Sequence, residues 1–147
     1  MELVLLIGLQ ATGKSFFCRE RFYRTHLRIN LDMLKTRPRE WALVRACLLT
    51  KTRLVVDNTN LSREDRARYI LPAREAGYCV IGYFFESTVS DALRRNADRA
   101  KPESVPAVAI AAAGKKLELP GLEEGFDQLH RVRLNGDNHF TVEKWNP

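Results

Sequence analysis

Short apolar runs separated by longer amphipathic stretches set the layout of this chain. Leu3–Ile7, Leu27–Leu31, Leu54–Asp57 and Val80–Phe85 are rich in branched or aromatic residues and too short for helices, the pattern of strands covered on both faces. Leu129–Leu134 reads as a fifth. Between them, Lys14–Arg24, Arg39–Thr50 and Arg63–Ala76 carry apolar residues at helical spacing, with Ser62 placed as an N-cap and Gly77 as a C-terminal stop. Strands alternating with helices predict an α/β fold with a central parallel sheet and helices on both faces, in a single domain over residues 1–147. Asn135-Gly136, inside Arg131–Val142, carries the signal of a type I′ turn and predicts an antiparallel hairpin at the C-terminus. Ligands of such sheets bind beyond the carboxyl ends of the strands, so Gly8, Asp32, Asp57 and the segment after Phe85 are expected to converge.

The first strand runs directly into Gly8-Leu9-Gln10-Ala11-Thr12-Gly13-Lys14-Ser15, the spacing of a phosphate-binding P-loop. Glycine lets the backbone wrap closely round an anion, and the helix that follows starts with its free N–H groups and positive dipole end facing the same anion. Lys14 is placed to reach the outer phosphates and the Ser15 hydroxyl to sit on Mg²⁺. Gly8, Gln10, Ala11, Thr12, Gly13, Lys14, Ser15 and Phe16 are the expected surroundings of the nucleotide phosphates.

Three further segments carry chemistry. In Leu54-Val55-Val56-Asp57-Asn58-Thr59-Asn60 a strand ends in a carboxylate and small polar residues, which is how a metal-site acid is delivered to a phosphate site. An Asx turn at Asp57-Asn58 and a helix cap at Asn60 or Ser62 read the same residues structurally. Asp32 follows the second strand, at the edge where a general base would take the proton of an acceptor hydroxyl; a helix N-cap is the other reading. Arg95 and Arg99 are four apart, so a helix through them would point both at one polyphosphate, although Asp91 and Arg95 also fit a surface ion pair.

Composition changes the picture in two ways. A formal net charge of +6, with arginine well in excess of lysine, favours an anionic partner held by planar, bidentate contacts. Cys18, Cys47 and Cys79 lack metal-ligand spacing and fall in apolar stretches, so buried free thiols are expected. No apolar run is long enough to cross a bilayer, and the apolar start flows into the P-loop as a strand and not a signal peptide, which makes a cytoplasmic protein the expectation.

Taken together, these segments resemble the kinase domain of the polynucleotide 5′-hydroxyl kinase family, over nearly the whole chain. The most specific stretches are Val56-Asp57-Asn58-Thr59-Asn60, Arg66-Ala67-Arg68-Tyr69 and Arg95-Asn96-Ala97-Asp98-Arg99, with Val105-Pro106, Leu119-Pro120 and Glu124-Gly125-Phe126 in support. The resemblance implies a P-loop kinase fold with a lid helix after the fourth strand, and transfer of the ATP γ-phosphate, with Mg²⁺, to the 5′-hydroxyl end of DNA or RNA. It further implies that Lys14 and Ser15 serve as P-loop lysine and metal ligand, Asp32 as general base, Arg95 and Arg99 as lid arginines on the phosphates, and Asp57 as a carboxylate beside them. On the acceptor side it points to Asp32, Lys35, Arg37, Asn58, Thr59 and Asn60. Lys35 stands where some members carry an arginine, and Ala11 where the family usually has glycine. A kinase for a small hydroxylated metabolite is the alternative enzyme, and a nucleotide-dependent binding module the non-catalytic one. Against the module, the guanine-reading Asn-Lys-x-Asp motif is missing; against the metabolite, Arg37, Arg39, Arg45, Arg63 and Arg66 cluster where the acceptor is expected.

Overall fold

A computed structural model describes residues 1–100, 104–137 and 139–147. The first strand, β1 (Glu2–Ile7), is apolar and buried from Leu3 onward because it lies in the middle of a six-stranded sheet. Its neighbours are β3 (Leu54–Asp57) and β4 (Cys79–Phe85), both parallel to it, with Leu6 opposite Asp57 and Ile7 opposite Phe84. Outside them lie β2 (Leu27–Ile29) and β5 (Gln128–Leu134), also parallel, and β6 (Phe140–Lys144), antiparallel to β5, giving the order β2-β3-β1-β4-β5-β6.

Successive side chains of the sheet go to two cores, which is why its strands read as unbroken apolar runs. Leu3, Leu5 and Ile7 join Val44 and Cys47 of α3 (Arg37–Thr50) and Tyr69, Ile70 and Ala73 of α4 (Arg63–Glu75). Val4 and Leu6 join Phe17, Cys18 and Phe22 of α1 (Lys14–Phe22), so helices do cover both faces. Leu9 and Leu61, just past the ends of β1 and β3, form a third cluster with Ala92 of α5 (Val89–Ala97) and Ile110 and Ala113 of α6 (Ala107–Lys116). That cluster seats the lid helix after β4 above the carboxyl edge of the sheet.

The caps explain where elements stop. Ser62 caps α4 in a reciprocal box with Asp65, and Gly77 turns the chain after it at φ +80°. The second strand ends earlier than the apolar pattern suggests, since the Asn30 side chain accepts from the Met33 N–H and starts a single-turn helix, α2 (Leu31–Leu34). The next helix, α3, begins at Arg37 under a Thr36 cap, with Pro38 in its first turn, where a missing N–H is harmless. The C-terminal hairpin forms, but its last pair is Leu134 with Phe140, so the two strands are not joined by a two-residue turn at Asn135-Gly136. Cys18 and Cys47 are buried thiols, whereas Cys79 is half-buried at the start of β4. Among the described residues no helix is long and apolar enough to cross a membrane.

Candidate active site

A cleft of about 1080 Å³ lies beyond the carboxyl ends of β1, β2 and β3. It exceeds the usual range for one drug-sized ligand and has room for two substrates side by side. The phosphate loop forms one wall. Gly8 has φ +149° and its amide donates to the Thr59 carbonyl at 2.9 Å; a Cβ there would meet the Phe85 carbonyl oxygen at 2.9 Å. Gly13, at φ +89°, lies against the Phe140 ring, and Thr12 Oγ1 closes the turn on the Leu9 carbonyl at 2.8 Å. Ala11 takes a left-handed φ of 59°. The Lys14 ammonium donates to the Gly8 carbonyl at 3.0 Å and to that of Leu9. Burial brings its pKa down to about 8; nearby Asp57 opposes that shift and Arg99 adds to it. Phe16 is 44% exposed at the cleft and stacks on Phe140. Gln10 also lines the cleft, and its Oε1 is buried without a partner among the described residues.

Below the loop, Ser15 Oγ donates to Asp57 Oδ2 at 2.9 Å, and the Asp57 carboxylate is 2% exposed. The same oxygen accepts from Arg28 Nε at 2.8 Å and lies 2.8 Å from Arg28 Nη2. Sequence reasoning passed over Arg28, because one arginine in an exposed-looking edge strand carries no motif.

Asp32 stands on α2 in the same cleft, exposed, and makes no hydrogen bond or ion pair among the described residues. The cap of α2 is Asn30, so the alternative of Asp32 as an N-cap falls. The loop that carries it is tied from beneath. Asn30 Nδ2 donates to the Asp57 carbonyl at 2.6 Å, and the Leu31 amide donates to Asn58 Oδ1 at 2.9 Å. Asn58 Nδ2 in turn donates to Glu40 Oε2 at 2.8 Å, while Tyr69 and Arg37 donate to Glu40 Oε1 at 2.6 and 2.8 Å. Burial, with Glu40 alongside, pushes the Tyr69 hydroxyl up to about 12. Glu40 was not singled out from the sequence, where an acid in a first helical turn reads as an ordinary dipole partner, and Tyr69 entered only as the end of the Arg66–Tyr69 stretch, with no role attached.

The remaining candidates divide. Lys35 lines the cleft; Thr59 lines it and supplies the carbonyl that Gly8 uses. Asn60 turns the chain at φ 49° and donates to the Leu6 carbonyl at 2.8 Å, so its buried side chain holds β1 and β3 together at the loop. Arg37 reaches the cleft edge while bound to Glu40. The expectation that Arg95 and Arg99 share a helix face fails. Helix α5 ends at Ala97, and the Asp98 and Arg99 amides turn back to Arg95 and Asn96 in a tighter turn that breaks the four-residue alignment. Arg99 lines the cleft, whereas Arg95 donates to Ser87 Oγ at 3.3 Å and does not.

The arginine cluster is also smaller than its sequence suggests. Arg66 is fully buried against Glu124, with its other donors on the Asn60 and Leu61 carbonyls; Arg63 pairs with Glu123; Arg45 lines a separate surface groove between α3 and α4. Val105, Pro106 and Ala109 add apolar lining to the cleft, beside Lys116, which pairs with Asp65 at 3.2 Å.

Residues 36–120 match the AAA domain family, a span that starts after the phosphate loop and runs through the lid. The chain belongs to this family. Its central sheet and loop-first order are those of P-loop kinase folds. A bifunctional polynucleotide phosphatase/kinase of Schizosaccharomyces pombe is 27% identical over 135 residues, covering 89% of this chain and 33% of that protein. A putative bifunctional polynucleotide phosphatase/kinase of Acanthamoeba polyphaga mimivirus is 28% identical over 98% of this chain and 36% of its own length. The chain thus spans about a third of the length of these curated relatives. Among solved structures, Chaetomium thermophilum Kti12 in complex with ADP-AlF3 superposes with a TM-score of 0.71 at 16% identity, covering 92% of both chains. A gluconokinase from Sinorhizobium meliloti gives 0.60 at 18% identity, over 90% of this chain and 82% of that one. At these identities the structural matches speak for the fold alone.

Proposed function

We propose that the chain is an ATP-dependent kinase that transfers the γ-phosphate to the 5′-hydroxyl end of a polynucleotide. The observation that carries the reading is a single cleft lined both by the phosphate loop and by Asp32, a carboxylate free to meet a substrate. In this mechanism the loop amides and Lys14 hold the β- and γ-phosphates. The Ser15 hydroxyl and Asp57 carboxylate, hard oxygens held 2.9 Å apart, suit Mg²⁺, which when bound would draw charge from the phosphates. Asp32 accepts the proton of the acceptor hydroxyl as its oxygen bonds to the γ-phosphorus; the bond to the bridging oxygen breaks and ADP leaves with that electron pair. Arg99, in the cleft lining, faces the charge that develops on the transferred group.

The polynucleotide acceptor is supported by the names of the two relatives and by Lys35 and Arg39, which pair with no carboxylate among the described residues. A product bearing a 5′-phosphate is what strand joining consumes, which suits a role in nucleic-acid repair. One observation favours the small-metabolite alternative: Arg37, Arg63 and Arg66, three of the five arginines expected on the acceptor side, are neutralised by Glu40, Glu123 and Glu124. Labelled ATP offered with 5′-hydroxyl oligonucleotides, nucleosides and sugars separates the readings. Label in the oligonucleotide supports the proposal; label in a sugar or nucleoside alone overturns it.

A further inference from the structure

We propose that Arg28 is the resident counter-cation of the Ser15–Asp57 pair and has to leave it before a divalent ion binds, so that metal enters with the nucleotide and not ahead of it. This rests on the reading of the cleft as a nucleotide phosphate site. Arg28 Nε donates to Asp57 Oδ2 at 2.8 Å, its Nη2 stands 2.8 Å from the same oxygen, and Nη2 donates to Ser15 Oγ at 3.4 Å. These are the two oxygens fitted to Mg²⁺. A Mg²⁺ ion draws its ligands to about 2.0–2.1 Å and tolerates little departure from octahedral geometry, so guanidinium and metal exclude each other there.

The surrounding charge points the same way. Lys14, buried next to the pair, already faces Asp57 with Arg28. An isolated dication would add to two positive groups around one buried carboxylate. A triphosphate reverses that balance, giving both metal and guanidinium new anionic partners. Arg28 is also free to move: it sits on the edge strand β2, and its side chain is 39% exposed at the cleft.

The test uses the whole chain and Mn²⁺ as probe, with unbound Mn²⁺ read by electron paramagnetic resonance, in the absence and presence of a non-hydrolysable ATP analogue. Wild type should bind Mn²⁺ weakly alone and strongly with the analogue. Arg28→Gln, which keeps donors for Asp57 and removes the charge, should strengthen nucleotide-free binding by about tenfold or more. Lys116→Gln removes an equal charge from the cleft lining, where Lys116 pairs with Asp65, and should change it by less than about threefold. No gain in Arg28→Gln, or an equal gain in Lys116→Gln, overturns the proposal. If no protein binds Mn²⁺ even with the analogue, the phosphate-site reading fails first and takes this one with it. Should Arg28→Gln not fold, the wild type decides: the Arg28 Nε–H resonance, assigned by its loss in Arg28→Lys, should stay in place with Mg²⁺ alone and move with Mg²⁺ and analogue together. Movement with Mg²⁺ alone overturns the proposal.

Discussion

Ala11 holds a left-handed backbone inside the phosphate loop, where an L side chain is strained by about 1–2 kcal/mol relative to glycine. Ala11→Gly should therefore raise stability by about 0.5–1 kcal/mol, the strain relief outweighing the extra freedom of the unfolded chain; a chemical denaturation midpoint shows it. Gly8→Ala should do the opposite, by about 1–3 kcal/mol, because its methyl meets the backbone oxygen of Phe85, which cannot rotate away. Lys14 gives a pH dependence. Its pKa of about 8 in the fold lies below the ordinary 10.5, so burial disfavours the charged form. A polyphosphate favours that form, and binding above pH 8 has to recruit a proton. Affinity for ATP should fall as pH rises through 8, with proton uptake visible by calorimetry in buffers of different ionisation enthalpy; a flat profile from pH 7 to 9.5 would show that Lys14 does not hold the phosphates. Asp32→Asn should leave ATP affinity near normal and lower turnover by about two to four orders of magnitude, the usual contribution of a general base. Lost ATP binding with turnover intact would reassign Asp32.

At the scale of elements, the lid is where one turn of helix changes the functional reading. Because α5 stops at Ala97, Arg99 enters the cleft from the turn beyond the helix, while Arg95 stays on its face against Ser87. Arg99→Ala should thus depress turnover by roughly tenfold or more and Arg95→Ala by much less, the asymmetry being the diagnostic quantity. Arg99→Lys should rescue poorly, since an ammonium lacks the planar fork. Equal losses at the two positions would mean that Arg95 also reaches the phosphates when substrate is bound. The short helix α2 shows a second kind of control. It is too brief to be stable alone, and its place is set by its own cap, Asn30, by Asn58 just past β3, and by Glu40 of α3 and Tyr69 of α4.

For the molecule as a whole, the acceptor governs the response to salt. An acceptor gripped through six or more phosphates should lose binding by roughly a thousandfold between about 50 and 200 mM salt, while a neutral metabolite should barely respond. The neutralised arginines narrow this expectation: Lys35→Gln and Arg39→Gln should flatten the salt slope of the Michaelis constant for an oligonucleotide, and Arg63→Gln or Arg45→Gln should leave it unchanged. The phosphate loop and the alternation of strands with helices were legible along the chain because they depend on neighbouring residues: local backbone conformation, two-residue and helical periodicities, and glycine at fixed spacing. The carboxylates at the strand ends were legible for the same reason, once β1 to β3 were taken as parallel. Three things were not. The pairing of Arg28 with Asp57 joins residues far apart in sequence through the register of β2 on β3. The burial of Arg66 on Glu124 turns an apparent substrate arginine into a structural one, since only packing of the segment after α6 against α4 brings that acid within reach. The end of α5 one residue before Asp98 separates Arg95 from Arg99. The sequence alone determined which chemistry could assemble and at which edge of the sheet. The tertiary structure decided which charged side chains remain available for it, because long-range partners compete with substrate for the same charges.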